Sequence, residues 1–250
     1  LLLYDMKKYL SNKDIPLRER LIFAMDLPSV HDAEQMIDRL GDSVQFYKLG
    51  LQMFMTGGYF QLVEKLQKAG KKIFVDLKFF DVPETVKNAV EQLQCRGVTF
   101  ATVHGNDDIM RAAAAAKGST KILAVTVLTS LDKGDMEDLG FRCDVEQLVL
   151  SRARRALALG CDGVISSGLE ARKLREEVSD KLIVITPGIR PASNTPVKDD
   201  QKRIVTVQAA FENGADYIVV GRPIRSAADP RAAAEEIQRQ IAETFAAANS

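Results

Sequence analysis

The sequence predicts an α/β protein built as a single (β/α)8 TIM barrel, and three observations carry that prediction. Short runs rich in β-branched and aromatic residues alternate with longer amphipathic stretches from residue 21 onward, the pattern of parallel strands joined by right-handed helical crossovers. There are eight such runs within 250 residues, a chain length that barrels of this class commonly have as one domain. Glycines stand just ahead of the next run at Gly41, Gly70, Gly97, Gly160 and Gly214, where tolerance of the left-handed conformation ends a helix. An open doubly wound sheet shares the alternation; the count of eight favours a closed barrel.

Residues 1–20 form an N-terminal extension of mixed Lys, Asp and Arg without the continuous apolar core of a signal peptide. The barrel domain spans 21–250. Its first strand is expected at 21–26, followed by a helix over 33–40 that stops at Gly41. Strand 46–50 leads to helix 59–69, and strand 72–78 to helix 86–96. Strand 100–104 precedes an alanine-rich stretch, 112–116, that reads as helix. Strand 122–128 is followed by a long connection, 129–144, and helix 145–159. Strands 163–167 and 182–186 come next, then a second long connection, 187–206, rich in Pro, Ser, Asn and charge. Long connections in a compact domain are often lids or binding loops. Helix 206–213, strand 217–221 and helix 230–248 complete the series.

Composition limits the function. Hydrophobic residues make up 46% of the chain, enough for a sizeable core. Lys plus Arg and Asp plus Glu both number 34, so no basic excess points to nucleic acid. No apolar run reaches the ~20 residues of a membrane span. Cys95, Cys143 and Cys161 are odd in number and lack C-x-x-C spacing, which suggests neither a disulfide framework nor a zinc site. The expected compartment is the cytoplasm.

In such a barrel the chemistry sits at the C-terminal ends of the strands. Those ends supply Asp26, Lys48, Asp76, Lys78, His104, Thr129, Ser130, Ser166, Thr186, Gly221 and Arg222. Asp76 and Lys78 are two apart on one strand, so they share a face, roughly 6–7 Å apart. Asp81 follows on the loop, and Lys48 ends the neighbouring strand, giving a candidate Lys-Asp-Lys-Asp array. An ammonium between carboxylates keeps its proton, which makes Lys78 a poised proton donor and a poor Schiff-base nucleophile.

Each member has an ordinary alternative. Asp81 suits a helix N-cap ahead of Pro83, with Glu84 three residues on. Asp26 suits a turn, Asp76 and Lys78 a simple ion pair, and Lys48 a snorkelling side chain. Singly the ordinary readings prevail; four ionised groups on one rim are too costly to bury without a shared purpose. His104 reads as a structural barrel residue. With His31 the only other histidine, a His-based metal centre or a Ser-His-Asp triad has little support. A second constellation, Thr186-Pro187-Gly188-Ile189-Arg190-Pro191 and Gly221-Arg222-Pro223-Ile224, ends strands seven and eight. Barrels often bind phosphate there, through backbone N–H groups and a planar guanidinium.

These residues resemble the orotidine 5'-monophosphate (OMP) decarboxylase family over residues 21 to about 241. The carriers are Phe23-Ala24-Met25-Asp26, Tyr47-Lys48-Leu49-Gly50, Asp76-Leu77-Lys78-Phe79-Phe80-Asp81-Val82-Pro83 and Ala124-Val125-Thr126-Val127-Leu128-Thr129-Ser130. Thr186-Pro187-Gly188-Ile189-Arg190-Pro191, Asp200-Gln201-Lys202-Arg203-Ile204 and Gly221-Arg222-Pro223 complete the set. D-x-K-x-x-D alone is shared with related barrels; the ordered combination is highly specific. Phe80 and Glu84 stand where the commonest form of the central motif has His and Asn.

The resemblance implies decarboxylation of OMP to UMP, the last step of de novo pyrimidine nucleotide synthesis, without metal or organic cofactor. Asp26 and Lys48 would hold the ribose hydroxyls, Asp76 would face the substrate carboxylate, and Lys78 would protonate C6. Thr129 or Ser130 would contact the pyrimidine. Gln201, Arg222 and the Gly221 backbone would bind the 5'-phosphate, with Pro187 and Arg190 in the closing loop. Asp81 and Thr85 would reach the neighbouring subunit's site, implying a homodimer. The nearest alternative is a magnesium-dependent phosphosugar aldolase or decarboxylase of the same barrel superfamily, such as a hexulose-phosphate synthase. A non-catalytic nucleotide-binding barrel is the alternative from another class.

Overall fold

The computed structural model describes residues 9–190 and 204–247. Eight parallel strands close into a barrel in sequence order: β1 (Leu21–Ala24), β2 (Phe46–Gly50), β3 (Lys72–Phe79), β4 (Phe100–His104), β5 (Lys121–Val125), β6 (Gly163–Ile165), β7 (Ile183–Thr186) and β8 (Tyr217–Val220). Around it run α1 (Val30–Leu40), α2 (Leu51–Phe54), α3 (Tyr59–Lys68), α4 (Pro83–Glu91), α5 (Asp107–Ala116) and α6 (Lys133–Asp138). They are followed by α7 (Val145–Ala158), α8 (Ala171–Glu177), α9 (Val207–Glu212), α10 (Arg222–Arg225) and α11 (Pro230–Ala246). The alternating signal therefore led to the right architecture, and the five expected helix-ending glycines all have positive φ.

Because successive strand residues point to opposite faces, each strand divides its side chains between two cores. Leu21, Phe23, Tyr47, Leu49, Ile73, Val75, Ala101 and Val103 face out and pack under the helices. Ile22, Phe46, Phe74, Phe100, Leu123, Ile185 and Tyr217 fill the barrel interior. Four of these are aromatic: Phe46 stacks on Phe100 at 5.2 Å between ring centroids, and Phe74 and Tyr217 meet Phe100 edge-on at 6.0 and 5.2 Å. One pleat repeat nearer the C-terminal rim, the inward positions of β2 and β3 are Lys48 and Asp76. The alternation that fills the interior with rings thus lifts charges to its mouth.

Several boundaries differ from the sequence expectation. The first and fifth strands end at Ala24 and Val125, short of residues 26 and 128, because the chain leaves the ladder to build the mouth. The 129–144 connection holds a helix, α6, whose Asp132 and Asp135 form a reciprocal capping box. Asp81 is not the N-cap of α4: Val82 holds that position with no side-chain cap, and Asp81 Oδ1 accepts from the Val82 N–H at 2.7 Å. Pro83 does begin the helix.

Residues 9–20 fold against the barrel base. Asp216, fully buried before β8, accepts from Arg175 Nη2 at 2.7 Å, Lys13 Nζ at 3.1 Å, Ser11 Oγ at 2.5 Å and the Val184 N–H at 2.9 Å. Arg20 reaches back to the carbonyls of Asp216 and Lys13 at 3.0 and 3.1 Å. Ile15 packs on the interior cluster from below.

Candidate active site

A cavity of about 350 Å³ opens at the C-terminal mouth. One wall is charged: Asp26, Lys48, Asp76 and Lys78 all line it. Lys78 Nζ donates to Asp76 Oδ1 at 2.9 Å, and Lys48 Nζ lies 3.1 Å from Asp76 Oδ2. Lys48 Nζ is also 3.9 Å from Asp26 Oδ1. Two ammonium groups therefore clasp one carboxylate from both sides. Burial alone raises the Asp76 pKa; Lys48 and Lys78, with hydrogen bonds from Lys78 and Thr102, outweigh it and hold the carboxyl down to about 2. Burial lowers that of Lys48, but Asp76 and Asp26 overcome this and leave it raised. At neutral pH the wall carries fixed, ordered charges of both signs.

The rest of the lining mixes apolar and anion-accepting groups. Val125, Val127 and Leu128 lead to Thr129 and Ser130 along one edge. Pro187, Gly188 and Arg190 follow β7, and Gly221, Arg222 and Arg225 follow β8. The ends of the β7 connection are tied together: the Val205 N–H donates to Gly188 O at 3.1 Å and the Arg190 N–H to Val205 O at 2.9 Å. Gly188 sits at φ 76°, in the left-handed region that a side chain would resist. Gly221 lies over the barrel wall, where an added Cβ would meet the Ala24 Cβ at 3.4 Å.

The structure thus brings ten of the sequence-predicted residues to one cavity: Asp26, Lys48, Asp76, Lys78, Thr129, Ser130, Pro187, Arg190, Gly221 and Arg222. Asp81 and Thr85 do not line it; both are exposed at the start of α4. Of the Lys-Asp-Lys-Asp array, the first three members meet within one chain, and Asp26 takes the outer place beside Lys48. Gln201 lies outside the described residues. His104 also stays out of the cavity lining and stacks on Phe80 with ring centroids 4.5 Å apart.

Two residues escaped the sequence reading. Arg225 lines the cavity and donates to the Asp26 carbonyl at 2.8 Å. Its signal was the i,i+3 spacing from Arg222, which puts both on one helical face. Thr102 touches both Asp76 and Lys78 through one hydroxyl. A threonine inside a strand carries no sequence signal of that role.

Fold and site together define a class: a (β/α)8-barrel enzyme whose mouth joins a charged wall to an anion-accepting rim. The profile of the orotidine 5'-phosphate decarboxylase / HUMPS family matches residues 19–237. A relative from Methylococcus capsulatus, named orotidine 5'-phosphate decarboxylase, is 66% identical over 97% of this chain and 100% of its own length. Another of that name from Rhodopseudomonas palustris is 53% identical over 90% of this chain and 96% of its own. The crystal structure of the Lactobacillus acidophilus orotidine 5'-phosphate decarboxylase superposes with a TM-score of 0.78 at 37% identity, covering 89% and 99% of the two chains. The chain belongs to the orotidine 5'-phosphate decarboxylase / HUMPS family and is a carbon–carbon lyase.

Proposed function

We propose that this enzyme decarboxylates OMP to UMP without a metal, using Lys78 as proton donor to C6. The observation that carries the reading is the Lys48–Asp76–Lys78 clasp on the wall of the mouth, in the same cavity as Gly221 and Arg222. Loss of carbon dioxide leaves an electron pair at C6 that the ring delocalises poorly. A prepositioned ammonium stabilises that developing charge without reorganisation, and its proton then passes to C6, leaving a neutral amine. Asp76 orients both ammonium groups and faces the departing carboxylate. Asp26 and Lys48 hold the ribose, Thr129 and Ser130 the pyrimidine, and Arg222 with the Gly221 backbone the phosphate. Gln201, Pro187 and Arg190 belong to the same phosphate-side closure, whose binding energy helps exclude water.

The place of Lys48 favours this reading over a magnesium-dependent phosphosugar reaction. Its ammonium already stands between the Asp26 and Asp76 carboxylates, so the chain itself supplies the cation there. The working unit is a homodimer in which Asp81 and Thr85 enter the partner's site. Both are exposed beside Phe80 and Val82, with Leu51, Phe54 and Met55 exposed after the neighbouring strand, an apolar edge that a second subunit would cover. The cytoplasmic placement rests on the thiols: all three cysteines are free. Among the described residues no helix is long and apolar enough to cross a membrane.

The test is loss of OMP absorbance in excess EDTA beside Lys78→Ala. Turnover by the wild type, with a fall of at least ~10³-fold in the variant and UMP binding retained, is expected. Activity lost to the chelator and restored on a phosphosugar with magnesium would move the enzyme to the aldolase branch.

A further inference from the structure

We infer that Thr102 is the positioning residue of the reaction, its hydroxyl fixing the Asp76 carboxylate and the Lys78 backbone in one geometry; the inference rests on the decarboxylase reading. Thr102 lies in mid-β4 and is fully buried. Its Oγ1 donates to Asp76 Oδ1 at 2.8 Å and accepts from the Lys78 N–H at 3.0 Å. No other single atom described here joins the backbone of Lys78 to the side chain that clasps its ammonium.

The strand register explains why a hydroxyl is needed. Val75 pairs with Ala101, but Phe79 pairs with Val103. Asp76, Leu77 and Lys78 therefore stand opposite the single residue Thr102, a bulge that takes the Lys78 N–H out of the regular ladder. Lys78 is also the one non-glycine residue with positive φ among the described residues, at 48°. Such a conformation costs free energy and persists where its surroundings over-determine it. A part-buried N–H taken out of the ladder needs another partner, and the Thr102 hydroxyl is the group that pairs it. The same oxygen then spends its own proton on Asp76, so the bulge and the charge cluster are locked by one group.

The experiment compares Thr102→Val, which keeps the shape without the hydroxyl, and Thr102→Ser, which keeps the hydroxyl, with the wild type on OMP. Rates are expressed per UMP-binding site, so that misfolded protein does not count. Thr102→Val is expected to lower kcat by about 10–100-fold, the range for residues that orient reacting groups, with KM for OMP changed less than about threefold. Thr102→Ser should recover kcat to within about threefold. In a crystal structure of Thr102→Val, Lys78 should leave the left-handed region. Should Thr102→Val not fold, Thr102→Cys, with a weaker donor, is read per site in its place and is expected to fall between Ser and Val. An unchanged kcat per site in the hydroxyl-free variant, with only a lower Tm, would overturn the inference and leave the decarboxylase reading intact. Absence of OMP turnover in the wild type would overturn both.

Discussion

At Lys78 two demands meet in one residue. Its ammonium is held beside a carboxylate, and its backbone departs from the regular ladder at the β3 bulge. The sequence carried the first demand openly, because Asp76 and Lys78 alternate on one strand. It hid the second: nothing in Leu77-Lys78-Phe79 marks a bulge, which appears only when β4 is laid alongside. Asp76 offers a test of the electrostatics. Its folded-state pKa, about 2, lies below the ordinary 3.8, so the unfolded chain binds more protons in between. Its contribution to stability is therefore full above about pH 4 and is lost as pH falls toward about 2, on the order of 2 kcal/mol in all. Urea unfolding across that window should show a steeper loss for the wild type than for Asp76→Asn. Parallel slopes would mean that the clasp does not hold the carboxyl down. The same variant should reduce kcat by about 10²–10³-fold, measured as OMP turnover per UMP-binding site.

Among the elements, the strands were the most legible and the segments between them the least. Apolar periodicity located all eight strands, since each buries side chains on both faces. Short helices such as α2 and α8 were missed, because four and seven residues give too few turns to establish a period. In the N-terminal extension, sequence spacing gives no sign of what Ser11, Lys13 and Arg20 pair with. Their partner, Asp216, lies about two hundred residues away, at |i−j| 205 for Ser11. This cluster carries its own prediction. Asp216→Ala would leave Arg175, whose side chain is 3% exposed, buried without its counter-ion. A destabilisation of about 3–5 kcal/mol is expected, measured by urea unfolding, with kcat per folded site unchanged. A loss below about 1 kcal/mol would show the cluster to be solvated in solution.

For the whole molecule, the site as one chain presents it is short of two expected members. Asp81 and Thr85 do not line the cavity formed by their own barrel and sit exposed beside an apolar edge. Motif spacing placed Asp81 in the array, since only two residues separate it from Lys78; the family resemblance sent it to a neighbouring subunit, and in the folded chain it stays out of its own cavity. Complementation tests the dimer directly. Lys78→Ala and Asp81→Ala should each be inactive alone. After random re-pairing in equal amounts, half the dimers are mixed, and each holds one intact site, so about a quarter of wild-type activity should return. No recovery, with re-pairing verified by mass, would place Asp81 in the site of its own chain.

The ring layer of Phe46, Phe74, Phe100 and Tyr217 lies between the Asp216 cluster at the base and the Asp76 clasp at the mouth. It works as an insulator. Neither set of charges shares a hydrogen-bond partner with the other, so changes at the two ends should add without coupling. Lineages adapting to heat or cold are then free to rework the floor of this barrel, residue by residue, while the reaction above it keeps its inherited settings.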